Sequence, residues 1–208
     1  MKPEGKTDIV FIFDVKDERT QTDGNRVLTL MKKLASNMSQ SGVYSSDDVK
    51  ISVSYGNTIT NGDANKQKVV QRIERVSLLD TRGRLASVLP LALSKLRTVA
   101  ETNGKNIILF TDSPTFWNGV TNYDRFIKDL ETENIKFIPT VFSKKALGEE
   151  EDDDGDKNKQ AVKPPKIHTD SPFVDSITVY DGKQPDISKL LTTPLVKPRQ
   201  LTDSGEGM

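Results

Sequence analysis

Residues 9–13, IVFIF, form an apolar run with no alternation, bounded by polar residues on both sides. That is the pattern of a short strand buried on both faces. Val27, Leu30, Met31, Leu34 and Met38 then recur at helical spacing, with Asp23 placed to cap the helix they mark. Residues 49–56, VKISVSYG, alternate and predict a second strand. The TITNGD that follows fits a short edge strand or a turn, and Asn61-Gly62 favours the turn. Val69, Val70, Ile73, Val76 and Leu79 mark a second helix. Leu85, Val88, Leu89, Ala92, Leu96 and Val99 mark a third, which Pro90 should bend or delay. Residues 106–113, NIILFTDS, repeat the opening theme of an apolar strand that ends in aspartate. Tyr123, Phe126, Ile127 and Leu130 make another helical stripe, and residues 135–142, IKFIPTVF, the next strand.

From 144 to 170 the character changes. This stretch has almost no core-forming residues, a six-residue acidic block (149–154) and a proline pair. It reads as a solvated, disordered insertion. Residues 173–181 then predict a last strand, 186–191 a short helix, and 195–208 a tail. Strands alternating with helices, several strands apolar throughout, predict an α/β fold: an open, mostly parallel sheet with helices on both faces, spanning 7–194. In such sheets the functional crevice lies beyond the carboxyl ends of the strands. Asp14 and Asp112 both belong there.

Composition sharpens this picture by exclusion. The 208 residues suffice for one domain with a real core. Thirty basic and thirty acidic residues cancel, so no global field favours nucleic acid or an anionic membrane surface. The hydrophobic fraction, 34%, is slightly low, and the polar insertion accounts for most of the deficit. No apolar run is long enough to cross a bilayer. The first residues, MKPEGKTD, carry no secretory h-region, which fits a mature fragment with an added Met as well as an intracellular chain. With no cysteine, disulfides, thiol catalysis and cysteine-based zinc sites are excluded.

Motifs for other chemistries are missing or broken. Neither GxxxxGK[ST] nor GxGxxG occurs, so neither phosphate loop is present, and no GxSxG supports a serine triad. His168 is the only histidine and stands in the polar insertion, where it cannot anchor a usual zinc site. Aligned on Gly155, the acidic block would offer Glu150, Asp152 and Asp154 to calcium, but the twelfth position is Ala161 instead of a bidentate Glu. Asn37-Met38-Ser39 is a glycosylation sequon inside a predicted helix.

The element order, the Asp14 that ends the first strand, and FTD at residues 110–112 together resemble the von Willebrand factor type A domain, the fold of integrin inserted domains. In that family the first strand ends in Asp-x-Ser-x-Ser, a later loop supplies a Thr, and strand four ends in Thr-Asp. A divalent cation held there is completed by a carboxylate from the ligand. The resemblance implies Asp14, Thr81 and Asp112 as metal ligands. The two serines are replaced by Lys16 and Glu18, and Glu18 still offers oxygen.

Three readings of this cluster stay open. In the first, Mg²⁺ or Ca²⁺ binds Asp14, Glu18, Thr81 and Asp112, against the repulsion of the Lys16 ammonium. In the second, Lys16 replaces the ion as a counter-ion between the two aspartates, which would otherwise repel each other. In the third, the charges form a solvated turn that binds nothing specific. Beside the cluster, Phe116 and Trp117 on one loop and Arg82 and Arg84 on another form the expected partner-contact rim, together with Lys16. The resemblance implies a non-enzymatic protein-binding adhesion module of the extracellular matrix or cell surface, with collagen or another matrix protein as partner. An intracellular, metal-independent assembly scaffold is the alternative, and a metal-assisted hydrolase a remoter one.

Overall fold

The eight residues of β1 (Thr7–Asp14) place Ile9, Phe11 and Phe13 on one face of the sheet and Val10 and Ile12 on the other, all buried. The first set packs with α1 (Gln21–Ser39) and α2 (Lys66–Glu74), through Val27, Met31 and Ile73 among others. The second packs with α4 (Leu85–Arg97) and α5 (Tyr123–Glu133). An unalternating strand is the sequence expression of that two-sided burial. The computed structural model describes residues 6–149 and 169–179. Its remaining elements are β2 (Val49–Tyr55), β3 (Thr58–Ile59), the short α3 (Leu78–Thr81), β4 (Gly104–Thr111), β5 (Ile135–Phe142) and β6 (Ile177–Val179).

The six strands of the described residues run in the order β3-β2-β1-β4-β5-β6, parallel throughout except for β3. This is the open, helix-covered α/β sheet expected from the sequence. β1 and β4 pair over their full lengths, from Thr7 opposite Gly104 to Asp14 opposite Thr111. The chain leaves β1 toward α1 on one face and leaves β4 toward α5 on the other. Their carboxyl ends therefore flank the point where the winding reverses, the place where open α/β sheets leave a crevice.

Several boundaries differ from the sequence expectations, each for a local reason. Thr20, not Asp23, caps α1: the Thr20 hydroxyl accepts from the Asp23 backbone N–H at 3.2 Å, and Asp23 sits three residues in as its partner. The edge strand forms and the turn falls earlier than Asn61-Gly62, because Gly56, at φ +49°, closes the β2–β3 hairpin. Pro90 does not delay α4, which begins at Leu85 and runs through it. Among the described residues the last strand covers Ile177–Val179, preceded by an isolated bridge from Val174 to Phe137; residues 180 and 181 of the expected strand lie outside them.

The described first residues of the expected insertion, 144–149, pack on the domain. Leu147 is buried in the α1-side core with Ala146 packed against it, and the Arg26 guanidinium donates to the Leu147 carbonyl. Two apolar residues in a polar stretch leave too weak a periodicity to be read as core. The acidic residues 150–154, His168, the 186–191 helix and the 195–208 tail lie outside the described residues. Among the described residues, no helix is long and apolar enough to cross a membrane.

Candidate functional site

The crevice is formed at the carboxyl ends of β1 and β4. An open cleft of about 370 Å³ lies there, lined by Asp14, Lys16, Asp17, Glu18, Ser113 and Thr115 among others. The pairing of Asp14 with Thr111 across the two strands puts the Thr111 hydroxyl 2.8 Å from Asp14 Oδ2, to which it donates. Asp112, one residue further on, has a fully buried side chain. Its Oδ1 accepts from the Lys16 backbone N–H at 2.9 Å, and its Oδ2 accepts from Arg19 Nε. The same guanidinium donates through Nη1 to Glu149. Arg82 Nη2 donates in turn to the Arg19 carbonyl, clamping the loop that carries the guanidinium.

The two aspartates thus share an edge but live in different environments. Burial pushes the Asp14 carboxyl up to about 7; the Thr111 hydrogen bond works against that, and the charges of Asp112 and Asp17 add to it. Burial also opposes the Arg19 charge, but the hydrogen bonds and charges of Glu149 and Asp112 outweigh it and hold its pKa above the ordinary value. Linkage gives the sign for Asp14. Its folded pKa is raised, so between the unfolded value of 3.8 and about 7 the folded chain holds a proton that the unfolded chain has released. Across that window the group's contribution to stability falls as pH rises, at about 1.4 kcal/mol per pH unit. Asp14→Asn removes the titration. The thermal midpoint of Asp14→Asn minus that of the native chain should therefore grow from pH 4.5 to pH 7.5. A difference that does not change with pH contradicts this.

The expected ligand set does not assemble as a cation site. Thr81 is buried, and its hydroxyl donates to the Leu78 carbonyl of its own short helix at 2.9 Å. Glu18 is 68% exposed in its side chain and pairs with Lys16 at 3.0 Å. Both Asp112 oxygens are committed to nitrogen donors. Among the described residues, no group of three or more His, Asp or Glu side chains is placed to hold a metal ion. A hard divalent ion needs several oxygens converging on one point, with water completing the shell; here Asp112 is held by nitrogen donors, Thr81 by its own helix, and Glu18 is turned to Lys16. The residues present do not fit Mg²⁺ or Ca²⁺.

The cation that pairs with Asp112 is Arg19, not Lys16, and its second partner is Glu149, not Asp14. The Lys16 side chain turns outward to Glu18, while its backbone N–H serves Asp112. The aromatic rim is likewise redrawn. Phe116 is buried, edge-on to Tyr123 and Phe137, and Trp117 is half-buried against the same cluster. Hydrophobic burial of the ring outweighs exposure wherever the loop can fold back. Arg82 is spent on the backbone carbonyls of Arg19 and Thr20, and Arg84 faces Asn57 at 3.4 Å. Gly83, at φ +60°, takes the left-handed backbone that a side chain would strain, and it turns this loop beside the Asp17 carboxylate.

Sequence reasoning missed Arg19, Glu149 and Thr111. Arg19 stood in view inside a charged run, and the length and forked donors of its side chain were the available signal. Nothing local marks Glu149, which reaches Arg19 across 130 residues of chain.

No protein-family model matches the sequence, and no curated protein does. Solved structures with a similar fold include the conserved hypothetical protein BatB from Bacteroides thetaiotaomicron, at 12% identity and TM-score 0.47, covering 65% of this chain and 66% of that one. They include proximal thread matrix protein 1 from the mussel byssus with a zinc-occupied MIDAS motif, at 18% identity and TM-score 0.45, covering 66% of this chain and 36% of that one. They also include the TFIIH p34 N-terminal domain, at 11% identity and TM-score 0.38, covering 66% of this chain and 82% of that one. The chain thus spans about a third of the byssal protein and 66% of BatB. The sheet order and the geometry of the edge, not these likenesses, carry the functional reading.

Proposed function

We propose that the chain is a protein-binding module of the von Willebrand factor A type that engages a protein partner through the loops at the carboxyl edge of its sheet. The observation that carries this reading is the open cleft at the β1/β4 switch point, walled by charges of both signs and bordered by loops from three separate parts of the chain. Its surface-facing residues, Lys16, Asp17, Glu18 and Thr115, are the contact set, with Arg84 and Trp117 at its margin. Following the resemblance, the partner is a matrix or cell-surface protein such as collagen, and the module acts outside the cell. A second reading, an assembly scaffold that binds without metal, is favoured by the pairing of Asp112 with Arg19, which leaves no coordination position for an acidic residue of the partner.

Photo-crosslinking tests the location of the surface. A photoreactive residue at Thr115, on the carboxyl edge, should capture a discrete protein partner from an extract of the producing cells or their matrix. The same group at Glu101, exposed in the turn before β4, should not. Capture unchanged by chelator supports the metal-independent form. Capture from Glu101 alone, or from neither position, contradicts the proposal.

A further inference from the structure

We propose that Arg19 is the resident cation of this edge: its guanidinium takes over the neutralising role of a divalent ion, so the β1/β4 site is closed to metal and is held together by an internal charge. This inference stands whether or not a protein docks at the cleft.

The argument starts from charge. Asp14, Asp17 and Asp112 lie near one another at this edge, and the Arg19 guanidinium pairs there with Asp112 and with Glu149. The Arg19 side chain is only 15% exposed, and that of Asp112 not at all. Such burial of a carboxylate is tolerated only when its oxygens are satisfied. Here one oxygen takes a backbone N–H and the other takes Nε. The planar guanidinium serves two carboxylates from different segments, which the single ammonium of a lysine does with less geometric definition.

The loop is built to present that guanidinium. The Arg19 backbone N–H donates to the Lys16 carbonyl at 3.3 Å, forming a tight turn directly after β1. Thr20 then caps α1, and Arg82 bonds the Arg19 carbonyl. The side chain is therefore directed by backbone fixed on both sides, not by chance contact. A divalent ion entering between Asp14 and Asp112 would have to evict the guanidinium from Asp112 and leave it, at low exposure, with Glu149 alone. Such an eviction is unfavourable for the same reason that breaking any buried ion pair is.

The consequence reaches further than the site. Glu149 belongs to the segment after β5, so the internal cation ties that segment to the first loop of the domain. Arg26 supports the tie from α1, through the Leu147 carbonyl and a 3.6 Å approach to Glu149. A metal-loaded edge would bind a partner's carboxylate at an open coordination position; this one has none to offer. The edge conformation is set by the chain itself and does not depend on cation supply.

The test uses the full chain with Mg²⁺, Ca²⁺ and Mn²⁺ as the probes, followed by thermal midpoint and by the paramagnetic resonance of free Mn²⁺. Millimolar ions should leave the native midpoint at its value in ionic-strength-matched monovalent salt. Arg19→Ser should lower the midpoint by roughly 10 °C, and Mn²⁺ should restore part of that loss, because the vacated carboxylates are then free to bind it. The restoration should vanish in Arg19→Ser/Asp112→Asn. If Arg19→Ser folds and no ion restores it, the proposal fails. The native chain decides the matter even if that variant does not fold. Mn²⁺ held by the native chain and released by Asp112→Asn overturns the proposal, whereas Mn²⁺ held equally by both belongs to carboxylates elsewhere and leaves the edge metal-free as proposed.

Discussion

Asp112→Ala is expected to destabilise the domain by about 3–5 kcal/mol, the range for removing one partner of a buried ion pair. The Lys16 N–H loses its acceptor, and the Arg19 guanidinium is left with Glu149 alone. For a chain of this size the thermal midpoint should fall by roughly 10 °C or more. Asp112→Asn should cost less, because an amide oxygen still accepts from Lys16. The ordering Ala worse than Asn, measured by denaturant unfolding, separates loss of the backbone hydrogen bond from loss of charge. A cost below about 1 kcal/mol for the alanine variant, the range of an exposed ion pair, contradicts the buried geometry.

Phe110→Ala should be equally severe, at about 3–5 kcal/mol, through the cavity it leaves. Phe110 is fully buried, edge-on to Phe11 at 5.3 Å and stacked on Phe13 at 5.2 Å between ring centroids. Three rings on adjacent strands make the core directly beneath the edge that carries Asp14 and Asp112. Leu79, 79% exposed on α3, is the control: Leu79→Ala should stay within about 0.5 kcal/mol, as for surface substitutions generally. Comparable losses from the two variants would mean that the aromatic packing does not support the fold as described.

The layers of the fold were legible because burial imposes period on sequence. The unalternating runs of β1 and β4 and the stripe of Tyr123, Phe126, Ile127 and Leu130 each state how many faces are covered. The terminal aspartates were legible for the same reason: a charge that ends an apolar strand of a parallel sheet falls at the carboxyl edge. What lay beyond reach was the pairing of charges. Lys16, Asp17, Glu18 and Arg19 are consecutive, and a tight turn, not composition, decides that Lys16 faces solvent while Arg19 faces Asp112. The burial of Phe116 and half-burial of Trp117 were not legible because a loop aromatic carries no mark of whether it folds back. Leu147 was hidden by its polar neighbours, and its burial follows from α1 offering a surface more than 100 residues away.

Crystals of the full chain soaked in Mn²⁺ provide the most direct measurement, with anomalous difference maps at the manganese edge. The expected map has no peak between Asp14 and Asp112, with guanidinium density bridging Asp112 and Glu149. A manganese peak coordinated by both aspartates, with Arg19 swung into solvent, would contradict the internal-cation site outright.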